Sequence, residues 1–387
     1  MAPKTVVILG STGSIGRQTL EIVAAHPDRL RVVGLAAGRN MTGLAQQAAE
    51  YDVTHLALAD EQAAESLAAP GRRVYAGDDG LGELVREAKA DVVVAALSGG
   101  AGLSSILAAL QVGSHVALAN KEPLVTAGHL VTEAARRHGA VLLPVDSEIS
   151  AVWQCLRGEQ RSEVEKVLLT ASGGPFANAT AEELAAVTPE QALAHPTWRM
   201  GPKVTVDSAT LMNKGFEIFE LKWMFDLDFA QIEVIVHHQS VIHSAVQFCD
   251  GSTLAQMGRP DMRVPIQFAL SYPERWAGPT PRLDLPETGS LTFGRPNVDR
   301  FPCLRLAREA GQAGGSYPAA LSAADEVAVA AFLAGELGFT EIARVIDRTL
   351  QAHQARPVST IYEVQRAEEE ARELARKFVV ESRRPGV

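Results

Sequence analysis

A short apolar run, a glycine-rich turn and a helix open the chain in that order, and few folds accommodate the combination. Residues 5–9 (Thr-Val-Val-Ile-Leu) are too few for a helix, Gly10-Ser-Thr-Gly13-Ser-Ile-Gly16 follows, and Ile15 to Ala25 read as helical. A run that is apolar throughout and closed by glycine fits a parallel strand buried on both faces. Glycines let the backbone turn tightly and approach an anion, which then meets the free N–H groups of the helix N-terminus. The spacing is GxxGxxG rather than GxGxxG, so by itself the turn is either a phosphate cradle or a tight connection that holds nothing.

The same grammar continues. Strands at 31–36, 55–58, 92–96, 116–118 and 141–145 alternate with helical stretches such as 41–50. Such alternation gives βαβ units and a doubly wound parallel sheet, the expected first domain at 1–150. Runs at 164–170, 232–236, 241–248 and 252–257 then cluster as strands, several of them alternating apolar and polar. They suggest a mixed or antiparallel sheet in an α+β middle domain, 151–276. Proline and glycine without periodicity make 277–300 a linker, and 301–387 is a helical bundle whose last helix carries Val364, Ala367, Ala371, Leu374 and Phe378 on one stripe. On its other face Glu368 with Arg372, and Glu373 with Lys377, stand at i,i+4. The expected fold class is α/β: a Rossmann-like doubly wound sheet, an α+β domain and a C-terminal helical domain.

Composition removes several classes of function. The 387 residues are 47% hydrophobic with a net charge of −10, which leaves neither a disordered chain nor a nucleic-acid binder held by a basic surface. Cys155, Cys249 and Cys303 lie far apart with no CxxC spacing, so a cytoplasmic location is the simplest expectation. No apolar run approaches the ~20 residues that span a bilayer. With a strand beginning almost at once, no signal peptide is expected.

The polar density lies at strand ends and in loops. After the second strand comes Ala36-Ala37-Gly38-Arg39-Asn40, with no acid to bind a ribose hydroxyl and an arginine that suits a 2′-phosphate. That favours NADPH over NADH, unless Arg39 is simply a solvated loop residue. Asn120-Lys121-Glu122 and Asp146-Ser147-Glu148 also follow strands. If extension persists through 148, Asp146 and Glu148 point to one side and repel unless a cation sits between them. As a helix, the stretch Ser208 to Glu217 sets Asn213 and Glu217 on one face. Together Asp146, Glu148 and Glu217 offer hard oxygen ligands suited to Mg²⁺ or Mn²⁺, although each acid taken singly is equally a surface charge. Ser172-Gly173-Gly174 follows a strand and could offer N–H groups and a hydroxyl to a phosphate. His195-Pro-Thr-Trp198-Arg-Met200-Gly201 is either a lid over a bound molecule or a buried core loop. On these residues a different NADP-linked dehydrogenase, or a redox-sensing binding protein without turnover, also stays open.

Taken in order, GSTGSIG at 10–16, LANKE at 118–122, LLPVDSE at 142–148, SGGPF at 172–176, HPTWRMG at 195–201, VDSATLMNKGFE at 206–217 and QSVIHS at 239–244 resemble the 1-deoxy-D-xylulose 5-phosphate reductoisomerase family. The resemblance implies an NADPH-dependent enzyme of non-mevalonate isoprenoid biosynthesis. Such an enzyme rearranges the substrate's carbon skeleton to an aldehyde and reduces that to 2-C-methyl-D-erythritol 4-phosphate. By the resemblance, Asp146, Glu148 and Glu217 bind a divalent metal (Mn²⁺, Mg²⁺ or Co²⁺) that chelates the substrate's C2 and C3 oxygens. Lys121 lies beside the reacting oxygens, and Ser147 and Glu148 contact substrate. Ser172, Ser208, Asn213 and Lys214 hold the phosphate of the sugar substrate, with His195 nearby and Trp198 over its backbone. Thr12, Gly13, Ser14, Ile15, Gly38, Arg39, Asn40, Asn120, Glu122, Met200 and Gly201 line the cofactor. A homodimer is implied, with neither nucleic-acid nor membrane partners. Two positions depart from the family pattern: Ile149 stands where a histidine is usual, and Arg39 where a lysine is.

Overall fold

The computed structural model describes residues 2–67, 70–97 and 99–382, with residues 78 and 101 described by their backbone alone. The chain forms two compact units. The first comprises Met1–Pro123, His129–Ser150 and Asp261–Pro281; the second comprises Leu124–Gly128, Ala151–Pro260 and Arg282–Val387.

The first unit is built on seven strands: β1 (Lys4–Leu9), β2 (Leu30–Ala37), β3 (His55–Leu58), β4 (Arg73–Ala76), β5 (Val92–Ala95), β6 (His115–Leu118) and β7 (Leu142–Pro144). They lie in the order β4-β3-β2-β1-β5-β6-β7, and all pairings are parallel. Val6 to Leu9 in β1 and Val93 and Val94 in β5 are fully buried, as strands covered on both faces must be. The order reverses between β1 and β5, so the switch point lies there. Because every strand runs the same way, the segments after β1, β2, β5, β6 and β7 all emerge on one edge of the sheet.

The second unit holds β8 (Val164–Ala171), β9 (Ile232–Val236), β10 (Ile242–Phe248) and β11 (Thr253–Met257), in the order β11-β10-β8-β9. The β8–β9 pairing is parallel and the other two are antiparallel, so the sheet is mixed. Two helices carry the third acidic segment, Pro202–Thr210 and Met212–Phe225. They are separate because Leu211 between them is left-handed at φ +63°. Helices Cys303–Ala313, Tyr317–Leu333, Phe339–Ala352 and Ile361–Ser382 complete the unit. In the last of these Val364, Ala367, Ala371 and Phe378 are buried as expected, with Ala375 rather than Leu374 completing the stripe. Glu368 reaches Arg372 at 3.9 Å. Among the described residues Glu373 and Lys377 form no ion pair.

The structure departs from the sequence reading at four further places. The strand β4 was not foreseen, because Arg73-Val-Tyr-Ala is a half-exposed edge strand with no buried apolar run to announce it. Residues 261–281 belong to the first unit, not to the middle of the chain. Lys4 Nζ donates to the carbonyls of Leu270 and Tyr272 at 3.0 Å each, and the helix Arg263–Ser271 packs against Ser14–Ala25. The proline-rich stretch is tied down as well: it contains the short helix Leu285–Thr288, and Gly294 pairs with Val236 at the end of β9. Lastly, extension does not persist through residue 148. The carbonyl of Asp146 accepts from Ser150 N at 2.8 Å, and Ser147 begins the helix Ser147–Cys155. Asp146 is therefore at the helix start and Glu148 in its first turn, where acids are favoured by the helix dipole. The neighbouring Ile149 is fully buried.

Candidate active site

The glycine turn after β1 holds two glycines that a Cβ would displace outright and a third, Gly13, where a Cβ would stand 3.2 Å from Gly10 O. Gly10 has φ +86°, and a Cβ there would stand 2.4 Å from the carbonyl oxygen of Ala96, just past β5. At Gly16 a Cβ would meet Gly10 O at 2.3 Å and Ser11 Cα at 2.5 Å. Both contacts lie below van der Waals distance, so these two glycines close the turn. Gly13 has an ordinary φ of −75° and stands at the N-terminus of the helix Ser14–Ala25, with no side chain capping that end and no acid in its first turn. The helix therefore presents unpartnered N–H groups at the switch point, the arrangement that receives a pyrophosphate. Ser14 is exposed, and Thr12 and Ile15 half-buried, around it.

After β2, Gly38, Arg39 and Asn40 are all exposed. Nothing lies within 4 Å of a Cβ built on Gly38, so packing does not demand glycine there. Asn40 accepts from Gly43 N at 3.0 Å and caps the helix Met41–Glu50, so its side chain has a structural task of its own. Arg39 makes no ion pair among the described residues. After β6, buried Asn120 donates to Gly99 O at 2.9 Å and accepts from Glu122 N at 3.2 Å, which joins the ends of β5 and β6. Glu122 is itself buried, at the start of the helix Glu122–Arg137.

Beside them, on the same sheet edge, stand the first two acids. Lys121, after β6, is in contact with the Asp146 carboxylate, after β7, and both side chains are about one-tenth exposed. Ser147 Oγ donates to Glu148 Oε2 at 2.5 Å. So Lys121, Asp146, Ser147 and Glu148 form one polar group on the first unit. A carboxylate so nearly buried stays ionised only with a positive neighbour, which Lys121 supplies.

The second unit carries the remaining candidates. Glu217 is fully buried in the helix Met212–Phe225. It accepts from Lys214 Nζ at 2.5 Å and from Asn213 Nδ2 at 2.6 Å. Asn213 Oδ1 is buried without a hydrogen-bond partner. At the end of β8, Gly173 and Gly174 have φ of +85° and +66°. A Cβ on Gly174 would stand 2.9 Å from Ser208 O, so glycine lets this loop close on the end of the helix Pro202–Thr210. Ser172 Oγ accepts from Gly174 N at 3.2 Å and lies 3.1 Å from His195 Nε2. His195 Nδ1 accepts from the backbone N–H of Thr197 and of Trp198, at 3.1 and 2.9 Å, which leaves the proton on Nε2 to be donated to Ser172. Burial first, and then the charge of Lys214, lower the His195 pKa and favour the neutral ring.

The loop 195–201 is not a core loop: Trp198 and Met200 are half-buried and His195 partly so. Gly201 ends it with open space around a Cβ and begins the helix Pro202–Thr210. His243 on β10, which sequence reasoning left without a role, lies with its ring 6.2 Å from that of Trp198. The turn after β5 was also missed; Gly99, at φ +70°, reads in the sequence only as an interruption of an apolar stretch.

Comparison with known proteins agrees across the chain. Residues 6–128 match the family described as 1-deoxy-D-xylulose 5-phosphate reductoisomerase, 142–225 its C-terminal domain, and 257–374 the DXP reductoisomerase C-terminal domain. The reductoisomerase of Moorella thermoacetica is 52% identical over 376 residues, 96% of this chain and 97% of its own. That of Pelotomaculum thermopropionicum is 50% identical over 381 residues, 97% and 98% of the two chains. The Zymomonas mobilis reductoisomerase, solved with NADPH, superposes with a TM-score of 0.91 at 42% identity, covering 97% of this chain and 99% of that one. A reductoisomerase solved with NADPH, fosmidomycin and magnesium gives 0.91 at 38%, covering 97% and 98%. Motifs, sheet order and full-length similarity agree: the chain belongs to the 1-deoxy-D-xylulose 5-phosphate reductoisomerase family.

Proposed function

We infer that the chain catalyses the metal-dependent rearrangement of 1-deoxy-D-xylulose 5-phosphate and its NADPH reduction to 2-C-methyl-D-erythritol 4-phosphate, in non-mevalonate isoprenoid biosynthesis. The observation that carries this reading beyond family membership is the pairing of buried carboxylates with lysines, Asp146 with the partly buried Lys121 and Glu217 with the buried Lys214. An ordinary dehydrogenase needs no such concentration of opposed charge. A reaction that moves negative charge between substrate oxygens does, and it needs phosphate donors as well.

Asp146, Glu148 and Glu217 are assigned as ligands of one divalent cation, Mn²⁺, Mg²⁺ or Co²⁺. Their chemistry fits: the donor set is all carboxylate, without cysteine or histidine, and Asn213 leaves a buried acceptor unsatisfied beside Glu217. When bound, the cation supplies Lewis-acid stabilisation of negative charge on the substrate's C2 and C3 oxygens. Lys121 places an ammonium beside the same oxygens, and Ser147 adds a hydroxyl. Ser172, Ser208, Asn213 and Lys214 hold the phosphate, and His195 keeps the Ser172 hydroxyl aimed through its Nε2 proton. Trp198 covers the substrate backbone and excludes water.

NADPH fits the sheet edge on three observations: the uncapped helix after Gly13, the open space at Gly38, and the unpaired exposed Arg39 where an NAD site would carry an acid. When bound it supplies the hydride. Thr12, Gly13, Ser14 and Ile15 bind its pyrophosphate, and Gly38, Arg39 and Asn40 its 2′-phosphorylated ribose. Asn120, Glu122, Met200 and Gly201 line the nicotinamide end. Replacing Arg39 with aspartate should shrink the preference for NADPH over NADH by about tenfold or more, since it sets a negative charge against the 2′-phosphate. An unchanged ratio of kcat/KM values would remove Arg39 from that role.

No helix among the described residues is long and apolar enough to cross a membrane. A cytoplasmic location suits the three cysteines, none of which is in a disulfide. In β11, Thr253, Leu254 and Ala255 are exposed at the edge of the second sheet, which supports a homodimer formed through that edge. The function is tested by incubating the chain with 1-deoxy-D-xylulose 5-phosphate, NADPH and Mg²⁺ and recording ¹³C NMR of the product. A branched product with a quaternary methyl-bearing carbon is expected. A linear pentitol phosphate would show reduction without rearrangement and overturn the assignment. Light scattering on the same sample should give the mass of two chains, and the mass of one would remove the dimer.

A further inference from the structure

Lys203 sits in the first turn of the helix Pro202–Thr210, where a cation faces the positive end of the helix dipole. Its tertiary contacts explain why a lysine is there. Nζ lies 2.7 Å from Asp207 Oδ2, one turn along the same helix, and 2.7 Å from Asp325 Oδ2 on the helix Tyr317–Leu333. The same ammonium stands 4.9 Å from the ring centroid of Phe216, in the helix Met212–Phe225. Asp207 and Asp325 are 2% and 0% exposed. Two buried carboxylates this close to one ammonium repel each other unless that cation stands between them.

Two of the three helices joined in this way carry residues assigned to the phosphate. Asp207 immediately precedes Ser208. Phe216 lies between Lys214 and Glu217. Gly201, which ends the loop bearing His195 and Trp198, accepts from Thr205 N and Thr205 Oγ1 at 3.0 and 2.9 Å in the same first turn as Lys203. Asp325 comes from the helical region that carries none of the assigned ligands.

We propose that Lys203 is a positioning residue for the phosphate end of the site. It locks the helix bearing Ser208 to the helix bearing Asn213 and Lys214, and it anchors both to the C-terminal helices through Asp325. This rests on the reading of Ser172, Ser208, Asn213 and Lys214 as the phosphate site.

The test is steady-state kinetics of Lys203→Met, Lys203→Arg and Asp325→Asn, with Lys214→Met alongside, resolving the KM for 1-deoxy-D-xylulose 5-phosphate from the KM for NADPH. Lys203→Met should raise the sugar-phosphate KM by about tenfold or more and leave the NADPH KM within about twofold. Lys203→Arg, whose fork can bridge both carboxylates, should return the sugar-phosphate KM to within about threefold of the parent. If Lys203→Met does not fold, Asp325→Asn carries the same expectation, because it keeps Asp207 as counter-ion and removes only the link to the C-terminal helices. A lowered melting temperature with both KM values unchanged, or with both raised equally, would make Lys203 a purely structural residue and overturn the proposal. Lys214→Met separates the two failures. If it raises the sugar-phosphate KM and the Lys203 and Asp325 variants do not, positioning alone fails. If Lys214→Met leaves that KM unchanged, the phosphate site itself is misassigned and the proposal falls with it.

Discussion

Asp146→Asn and Glu217→Gln should each lower kcat for NADPH oxidation by about 10³-fold or more, while NADPH affinity stays within about twofold. Both replacements are nearly isosteric and keep an acceptor oxygen, so they remove charge and little else. Asp146 follows β7, whereas the glycine turn and the Arg39 segment follow β1 and β2, at the middle and on the far side of the sheet order. A change at Asp146 should therefore leave the dinucleotide where it was. Each variant also deprives a lysine of its counter-charge, Lys121 in one case and Lys214 in the other. Melting temperatures recorded in parallel separate that effect from lost turnover. Equal losses of turnover and NADPH binding would mean that these carboxylates support the cofactor, and the metal assignment would fall.

The fold was legible wherever local pattern decides structure. Residues 41–50, 55–58 and 232–236 adopt the elements their periodicity predicts, to the residue. What escaped was decided by tertiary contact. β4 is a half-exposed edge strand that pairs with β3 alone, so it never needed an apolar run. The return of residues 261–281 to the first unit depends on bonds such as His26 to Gln267, 241 positions apart, which no local window contains.

The candidate site divides along the same line. Lys121, Asp146, Glu148 and Glu217 became candidates because charged residues at strand ends and on one helix face stand out in short segments, whereas Lys214 entered only through the family resemblance. How Asp146 and Glu148 come together could not be read. An extended strand sets i and i+2 on one side, but here the bond from Ser150 N to Asp146 O starts a helix instead. Lys203 was invisible for a different reason. A lysine next to a proline at a helix start looks like a surface charge, and one aspartate that pairs with it lies 122 residues away. His243 has no role legible in the sequence, because nothing in its own segment points to Trp198.

The cation is the part of the account on which everything else depends. Lys121 and Lys214 are already engaged with carboxylates, so the chain's own positive groups are partly spent on holding the acids in place. Under the proposed function a divalent ion would stabilise charge on the substrate oxygens, and its removal should be nearly total in effect. The most direct measurement is NADPH oxidation at 340 nm with 1-deoxy-D-xylulose 5-phosphate, using chelator-stripped enzyme titrated with Mn²⁺ or Mg²⁺. No substrate-dependent oxidation is expected in the stripped enzyme, with recovery that saturates at one metal ion per chain. Undiminished oxidation in the presence of chelator, by well-folded protein, would contradict it.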